Sequence, residues 1–292
     1  MENISELYPT ELNELIYNKV NQPRPVASAT LKKYIQTYLH LSDTLNKNDN
    51  WVKESSTEQL VKIVNRLDMN ATGKLNILNL FVMMRKDTLD INTLIELRTR
   101  LNKKKLLHTA ELIENKRETL PDYKTVNKYI DDLYNQKKYV DFVINYLIFT
   151  YGLRNRDINL EIITNENYKK ATEAKNYLVI RKSDLLLIVN DYKTKSSYGV
   201  KKIQIRSGRI LDCANKLREG ALIRNKFNNP VNDENLSYYI RLYDDLNESD
   251  YFKINVLHIQ TLPNPVKELA KICSTRGSCD INTINTYYNI SK

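Results

Sequence analysis

The 292-residue sequence is poor in the residues that break or cross-link a chain. It contains six glycines and seven prolines, which argues against a turn-dense β-sandwich, a collagen-like chain or a flexible linker and favours long helices. Its three cysteines, Cys213, Cys273 and Cys279, fit neither a disulfide framework nor a C-x-x-C zinc knuckle. We therefore expect reduced, structural thiols, with neither a metal ion nor a cofactor.

Long apolar runs are also lacking. No stretch approaches the roughly 18 apolar residues of a membrane span. The N-terminus, MENISELYPTELNELI, carries acids where a signal peptide has a basic flank and an apolar run. We therefore expect a soluble, intracellular protein with no membrane partner. With 41% hydrophobic residues in 34.3 kDa, the chain is long enough for about two domains with buried cores.

Positive charge is what the sequence has in excess. The formal net charge is +10, from 45 Lys and Arg against 35 Asp and Glu. Most of this excess lies late in the chain, where residues 192–224 hold nine basic residues and two acids. Such blocks usually bind phosphate, so a polyanionic partner is indicated. The alternative is the lysine-rich composition of an AT-biased genome, since Asn, Lys, Ile and Tyr are all abundant.

Residues 1–118 have helical periodicity and no strand signal. Five helices are predicted: from Ile4 to Val20, after Ser28, in STEQLVKIVNRL, around LNILNLFVMM, and from near Asn92 to before Pro121. The fifth carries a run of cations without an acid, which is either a solvated helix face or a contact to a nucleic-acid backbone. This run consists of Arg98, Arg100, Lys103, Lys104 and Lys105.

The proline in ETLPDYKT, residues 118–125, marks the best domain boundary, so we predict domains at 1–118 and 119–292. The second domain opens with the helix TVNKYIDDLYN. The next pattern, KKYVDFVINYLIFTYG, is apolar on all sides, which predicts the central core helix, ended or bent by Gly152.

Strand patterns follow at residues 177–180, 185–189 and 200–205. The basic segment NDYKTKSSYG joins the last two, which predicts a small antiparallel sheet with a basic hairpin. Helices are predicted again in RILDCANKLREG, ENLSYYIRLYDDL, FKINVLHIQTL and VKELAKIC. The predicted fold class is therefore mainly α with a small antiparallel β-sheet.

The core helix ends in TYGLRNRDINLEII, which presents Arg154 soon after a glycine. An arginine there either complements the helix dipole or holds a guanidinium ready for an oxyanion. The string resembles the first active-site motif of the tyrosine recombinase and phage integrase family, in which a core helix ends in T-G-L-R and an acidic, leucine-bearing helix follows. The resemblance implies that Arg154 is the first catalytic arginine.

The resemblance continues downstream, where the family has a basic β-hairpin with a lysine that reaches the scissile phosphate. In LLLIVNDYKTKSSYGVKKIQI, Lys193 takes that position through its Lys-Thr dipeptide, with Lys195 as the alternative. A lysine placed there can act as general acid toward the 5′-oxygen leaving group. Taken alone, a solvated turn residue is the other interpretation of Lys193. DNA contacts are expected from Lys195, Lys201, Lys202 and Arg206.

The ending VKELAKICSTRGSCDINTINTYYNIS resembles the family's closing segment, which has a helix, a Gly-His turn, a Thr-rich stretch and the tyrosine nucleophile. Tyr287 fits the spacing and a Tyr-x-Asn ending similar to the family's Tyr-x-His, and Tyr288 is the alternative. A phenol suits strand transfer because its aryl phosphodiester stores the bond energy. A DNA hydroxyl can then reverse the cleavage without a cofactor.

Between these ends the sequence departs from the family's pattern. The His-x-x-Arg box corresponds best to Asp250-Tyr251-Phe252-Lys253, where Lys253 keeps the charge but loses the bidentate fork of arginine. The later histidine is missing from the turn at residues 275–278, where Arg276 could bring a cation to the phosphate. His258 lies inside a helical pattern, where a packed structural role is expected.

The resemblance covers nearly the whole chain and implies a core-binding domain and a catalytic domain that form a C-shaped clamp around duplex DNA. It implies a recombinase or integrase of a virus or mobile element, which cleaves and rejoins DNA through a 3′-phosphotyrosine as an oligomer on DNA. One alternative is a recombinase-like protein that has lost catalysis and acts as a DNA-binding or packaging clamp. Another is a helical protein-interaction scaffold.

Overall fold

A computed structural model describes residues 8–21, 28–86 and 91–277. The chain divides into two compact units, Met1–Glu111 and Leu112–Lys292. None of the described helices is long and apolar enough to cross a membrane.

The first unit is entirely helical over its described residues. The five predicted helices are present, and the first begins at Thr10 in the described part. A single turn at Trp51–Glu54 was not predicted, because four residues are too few for a periodic pattern. The helices are α1 (Thr10–Val20), α2 (Ser28–Thr44), α3 (Trp51–Glu54), α4 (Thr57–Arg66), α5 (Ala71–Met84) and α6 (Asn92–Thr119), and the boundary between the units falls within α6.

A buried carboxylate ties three of these helices together. Glu11 of α1 is 1% exposed and accepts a hydrogen bond from the Tyr38 hydroxyl of α2 at 2.7 Å. It also accepts the backbone N–H groups of Val52 and Lys53 at the start of α3, at 3.1 and 2.9 Å. An anion at a helix N-terminus satisfies donors that have no partner inside the helix. The short helix α3 is therefore held by a side chain from a distant part of the sequence.

The second unit surrounds a small sheet with helices. Its helices are α7 (Tyr123–Asn135), α8 (Tyr139–Tyr151), α9 (Lys195–Tyr198), α10 (Gly208–Lys216), α11 (Leu236–Tyr239), α12 (Glu248–Gln260) and α13 (Pro265–Arg276). Its strands are β1 (Leu160–Thr164), β2 (Asn176–Ile180), β3 (Leu185–Val189), β4 (Lys201–Ile205) and β5 (Gly220–Ala221).

Helix α8 is the central core helix, as the sequence predicts. Phe142, Val143, Ile144 and Leu147 are all buried. The helix ends at Gly152, whose φ of +64° is in the left-handed region. A Cβ there would lie 3.0 Å from side-chain atoms of α12 and α13. A glycine is therefore required both by the backbone conformation and by the close packing.

The mainly α class with a small sheet is confirmed, but over the described residues the sheet has five strands, in the order β4-β3-β2-β1-β5, and is mixed. Strand β1 pairs parallel with β2, while the other pairs are antiparallel. The segment after Arg154, where the family has an acidic helix, is a single 3-10 turn, Asn155–Ile158, that leads into β1. Sequence analysis missed β1 because hydrophobic residues on both of its faces pack in clusters, which removes the alternating pattern.

The predicted helix in ENLSYYIRLYDDL is also wrong. Only α11 and a 3-10 turn at Tyr243–Asp245 form there. Buried side chains replace the helical hydrogen bonds: Asn145 Nδ2 donates to the Arg241 carbonyl at 2.9 Å, and the Tyr243 N–H donates to the Tyr251 hydroxyl at 2.9 Å. Because these backbone groups already have partners outside the segment, it remains irregular at little cost.

Candidate active site

Two arginines that are far apart in the sequence meet where α8 ends. Arg154 follows Gly152 and Leu153, and its Nη1 donates to the carbonyl oxygen of Arg276 at 2.5 Å, across 122 residues of chain. Arg276 is the last residue of α13, which ends in a left-handed Gly277. The structure therefore brings the first predicted catalytic cation to the predicted C-terminal turn.

The guanidinium of Arg276 is itself buried, at 4% exposure. Its Nη1 donates to the carbonyl oxygen of Gly152 at 2.9 Å, and its Nη2 lies 3.5 Å from the Glu248 carboxylate. The guanidinium also lies 4.4 Å from the centre of the Phe252 ring. Arg276 thus joins the ends of α8 and α13 to the start of α12, and it is paired with an acid.

Lys201 is the third cation at this place. It is buried at the start of β4, and its ammonium donates to the Thr275 carbonyl oxygen at 2.8 Å. The same Nζ lies 3.6 Å from the centre of the Tyr192 ring, which is a cation–π contact. Lys201 was predicted as a DNA contact on the hairpin. The structure places it beside the turn that follows Arg276, and we call Arg154, Lys201 and Arg276 the cation cluster.

Two acids, the buried Asp157 and the half-buried Glu248, belong to the same site. Asp157 accepts the N–H of Arg154 at 3.2 Å, and Glu248 accepts the N–H of Asn155. Burial raises the pKa of both carboxyls, while nearby Arg154 and Arg276 oppose the shift. Within the described part of the chain, Asp157 Oδ1 has no hydrogen-bond partner. The site therefore combines the cation cluster with two acids and is not purely positive.

The loop that carries Lys193 is docked against the end of α13. The Thr194 hydroxyl donates to the Gly277 carbonyl oxygen at 2.7 Å. Gly277 has a φ of +67°, and a Cβ there would lie 2.8 Å from both Thr194 and Tyr192 and 2.9 Å from Lys201 Nζ. Glycine is therefore the residue that lets this loop approach. Lys193 itself is exposed, one residue before the docked Thr194, and Lys195 begins α9 half-buried.

A further predicted catalytic residue, Lys253, has a charged partner on its own helix. Lys253 pairs with Asp250 one turn earlier in α12, with Nζ and Oδ1 3.4 Å apart. The two residues that correspond to the histidine and arginine of the His-x-x-Arg box therefore contact each other. Tyr287 and Tyr288 lie outside the described residues, as does Cys279. His258 stacks on the Tyr123 ring with centroids 3.9 Å apart, which is a packed structural contact.

The expected DNA contacts outside the cluster lie mainly on the surface. On α6, Arg100, Lys103 and Lys104 are exposed, while Arg98 and Lys105 are half-buried. On the second unit, Lys202 and Arg206 are exposed. In residues 8–21, 28–86 and 91–277, no three His, Cys, Asp or Glu side chains gather as a metal site requires.

Sequence reasoning missed several residues of this site. Glu248 gave no signal, because an acid in the first turn of a helix is ordinary. Asp157 was visible only as the acid of the string RNRD. Lys201 could have been suspected, since it opens the strand that follows the basic hairpin, but its burial depends on the turn at Thr275 and Gly277.

No protein-family model and no curated protein matches this chain. Among solved structures, the chain is similar to a XerA recombinase, with 10% identity over 95% of this chain and 92% of that one, at a TM-score of 0.36. It is also similar to the protelomerase TelA covalently complexed with substrate DNA, with 14% identity over 98% of this chain and 96% of that one, at a TM-score of 0.42. What this chain does is therefore inferred from its own residues.

Proposed function

We propose that this chain binds duplex DNA and cleaves and rejoins its strands through a 3′-phosphotyrosine intermediate. The observation that carries the proposal is the meeting of Arg154, Lys201 and Arg276 at the end of the core helix, from three distant parts of the sequence. Gly277 directly follows Arg276 of this cluster, and Tyr287 comes ten residues after Gly277 in the sequence.

In the proposed reaction, the phenol of Tyr287 or Tyr288 gives up its proton to solvent, and its oxygen attacks the phosphorus of one strand. The bond between phosphorus and the 5′-oxygen breaks, and Lys193 supplies the proton that this oxygen takes up. Arg154 stabilises the charge that accumulates on the phosphoryl oxygens, and preorganised cations are effective in this role. The released 5′-hydroxyl, or that of another strand, reverses the step because the phosphotyrosine keeps the bond energy.

DNA binding is proposed to use both domains, residues 1–118 and 119–292. The cations of α6 and of the hairpin, including Lys195, Lys202 and Arg206, would contact backbone phosphates. Such contacts release counterions, so affinity should fall by a slope of about 0.9 per phosphate contact in a plot of log K against log salt. We further propose an oligomer on DNA, since exchange between two duplexes needs a nucleophile at each cleaved strand.

The second candidate function is a DNA clamp without catalysis, and specific contacts favour it. Arg276 is paired with Glu248, and Lys253 is paired with Asp250. Two of the four predicted catalytic cations are thus partly neutralised by acids. A cation held in this way stabilises an added phosphate less than an unpaired one, because the carboxylate offsets its field.

The test is a suicide-substrate assay, in which nicked duplexes trap a covalent protein–DNA adduct that is detected on a denaturing gel. The full chain is compared with Tyr287→Phe, Tyr288→Phe and Arg154→Ala. We expect the unaltered protein to form an adduct. One of the two tyrosine variants should abolish it, and so should Arg154→Ala. Tight, salt-dependent binding without an adduct on any duplex would support the clamp. An absence of DNA binding would refute both proposals.

A further inference from the structure

A short hairpin in the second unit ends in a tip, residues 225–229, that is closed by its own hydrogen bonds. The base of the hairpin is anchored in the core through Leu222, Ile223 and Val231, which are all buried. At the tip, the Asn225 N–H donates to the Asn229 carbonyl oxygen at 2.9 Å. The Asn225 side chain also accepts two backbone N–H groups, at 2.9 and 3.0 Å. The tip is thus fixed by its own hydrogen bonds.

Arg224, at the base of this tip, stabilises it through hydrogen bonds to backbone carbonyl groups. Its guanidinium donates to the carbonyl oxygens of Ala221 and Asn228, both at 3.0 Å, and to that of Glu219 at 3.4 Å. Gly220, with a φ of +101°, makes room for it, since a Cβ there would lie 2.6 Å from Arg224 Nη2. These hydrogen bonds of the Arg224 guanidinium lie within the hairpin and stabilise its shape.

The tip presents an aromatic ring to solvent. Phe227 is 72% exposed, and the ammonium of Lys226 lies 5.1 Å from the centre of its ring. Single exposed apolar side chains are common on protein surfaces. The Phe227 ring differs from such isolated side chains because it lies on a hydrogen-bonded tip beside a cation. The surrounding residues 220–232 contain no acid. Tyr238, which is 82% exposed, lies 11 residues further along the chain.

We propose that Phe227 is a stacking platform for a nucleobase, with Lys226 contacting the adjoining phosphate. An aromatic face beside a cation matches a base and its phosphate, because every base has a π-face and each nucleotide carries one negative charge. A phenylalanine side chain has only two rotatable bonds, so it loses little conformational freedom on binding, which favours such a contact. In an intact duplex both faces of a base are covered, so the ligand is an unpaired base. This inference rests on the proposed DNA binding.

The experiment uses the full chain and a duplex that carries an unpaired single-stranded extension, with the fluorescent base 2-aminopurine placed in the extension. Stacking on a ring quenches this fluorescence. We expect quenching with the unaltered protein and with Phe227→Trp, and its loss with Phe227→Ala and Phe227→Leu. Phe227→Ala should weaken binding of the extended DNA roughly 5- to 150-fold. The fully paired duplex should be bound with little change.

Two controls separate stacking from other effects. Val266→Ala removes a side chain of similar exposure, 71%, at another place on the second unit, and should change neither affinity nor quenching. Lys226→Gln should lower the salt slope by about 0.7, whereas Phe227→Ala should leave the slope unchanged.

Unchanged quenching and affinity in Phe227→Ala would overturn the stacking platform while leaving the DNA-binding proposal intact. So would a Phe227→Ala variant that keeps its DNA affinity and instead loses self-association in sedimentation. If the unaltered protein binds neither DNA, the proposed function fails, and the inference fails with it.

Discussion

Replacing Gly277 by alanine tests whether the loop between β3 and β4, which carries Lys193 and Thr194, is held by the end of α13. The αL conformation costs a non-glycine residue about 1–2 kcal/mol. The new methyl group would also lie under 3.0 Å from Thr194, Tyr192 and Lys201, and overpacking of this kind costs about 1–3 kcal/mol. Together the two effects predict a loss of about 2–5 kcal/mol in the free energy of unfolding.

The assays are urea unfolding and amide hydrogen exchange, which together separate global stability from local docking. The control is Gly199→Ala, because Gly199 has a φ of +69° but, its chain neighbours aside, no atom of the described residues lies within 4 Å of the added Cβ. Gly199→Ala should lose stability through backbone strain alone and leave Thr194 docked on Gly277. In Gly277→Ala, exchange should rise at residues 192–195. A Gly277→Ala variant with unfolding free energy and loop exchange equal to those of the unaltered protein would refute this account of the loop.

Three further predictions concern ionisable groups that are buried or half-buried. Glu11→Ala should destabilise the first unit by about 3 kcal/mol, because it leaves the Tyr38 hydroxyl and two backbone N–H groups without their acceptor; a change below about 1 kcal/mol in urea unfolding would contradict this. Burial raises the pKa of Glu248 above its ordinary 4.5, so the stability this carboxyl contributes is full below pH 4.5 and declines as pH rises through the folded-state value. The difference in unfolding free energy between the unaltered protein and Glu248→Gln should therefore decrease as pH rises from 4, and an increase would refute the direction. Burial raises the pKa of the Cys213 thiol to about 11, so Cys213 should resist iodoacetamide at pH 8 in the folded protein and react after unfolding, as measured by mass spectrometry.

The helices could be predicted from the sequence where their pattern is long. Helices α2, α5, α6 and α8 each extend over at least 13 residues, and periodic apolar residues are a strong signal at such lengths. The capping box of Ser56 and Gln59 at the start of α4 is local in the same way, since its two hydrogen bonds involve residues only three positions apart.

The parts that could not be predicted depend on contacts between distant residues. Strand β1 has β2 as its parallel partner and the edge strand β5 on its other side, and neither pairing leaves a local pattern. The segment after α11 is irregular because Asn145 and Tyr251, from two other helices, bind its backbone. Side chains of this kind override local propensity, and their positions follow from the packing of the whole unit.

By itself, the sequence determined the mainly helical class, the core helix and its glycine end, and the order in which Arg154, the basic hairpin and the terminal tyrosines occur. These properties are local, since each depends on residue type and spacing within a few turns. Only the tertiary structure decided that Lys201 lies beside the turn after Arg276 while Lys193 is exposed, and that Glu248 pairs with Arg276. Burial and charge pairing depend on which distant segments meet, so no spacing along the chain specifies them.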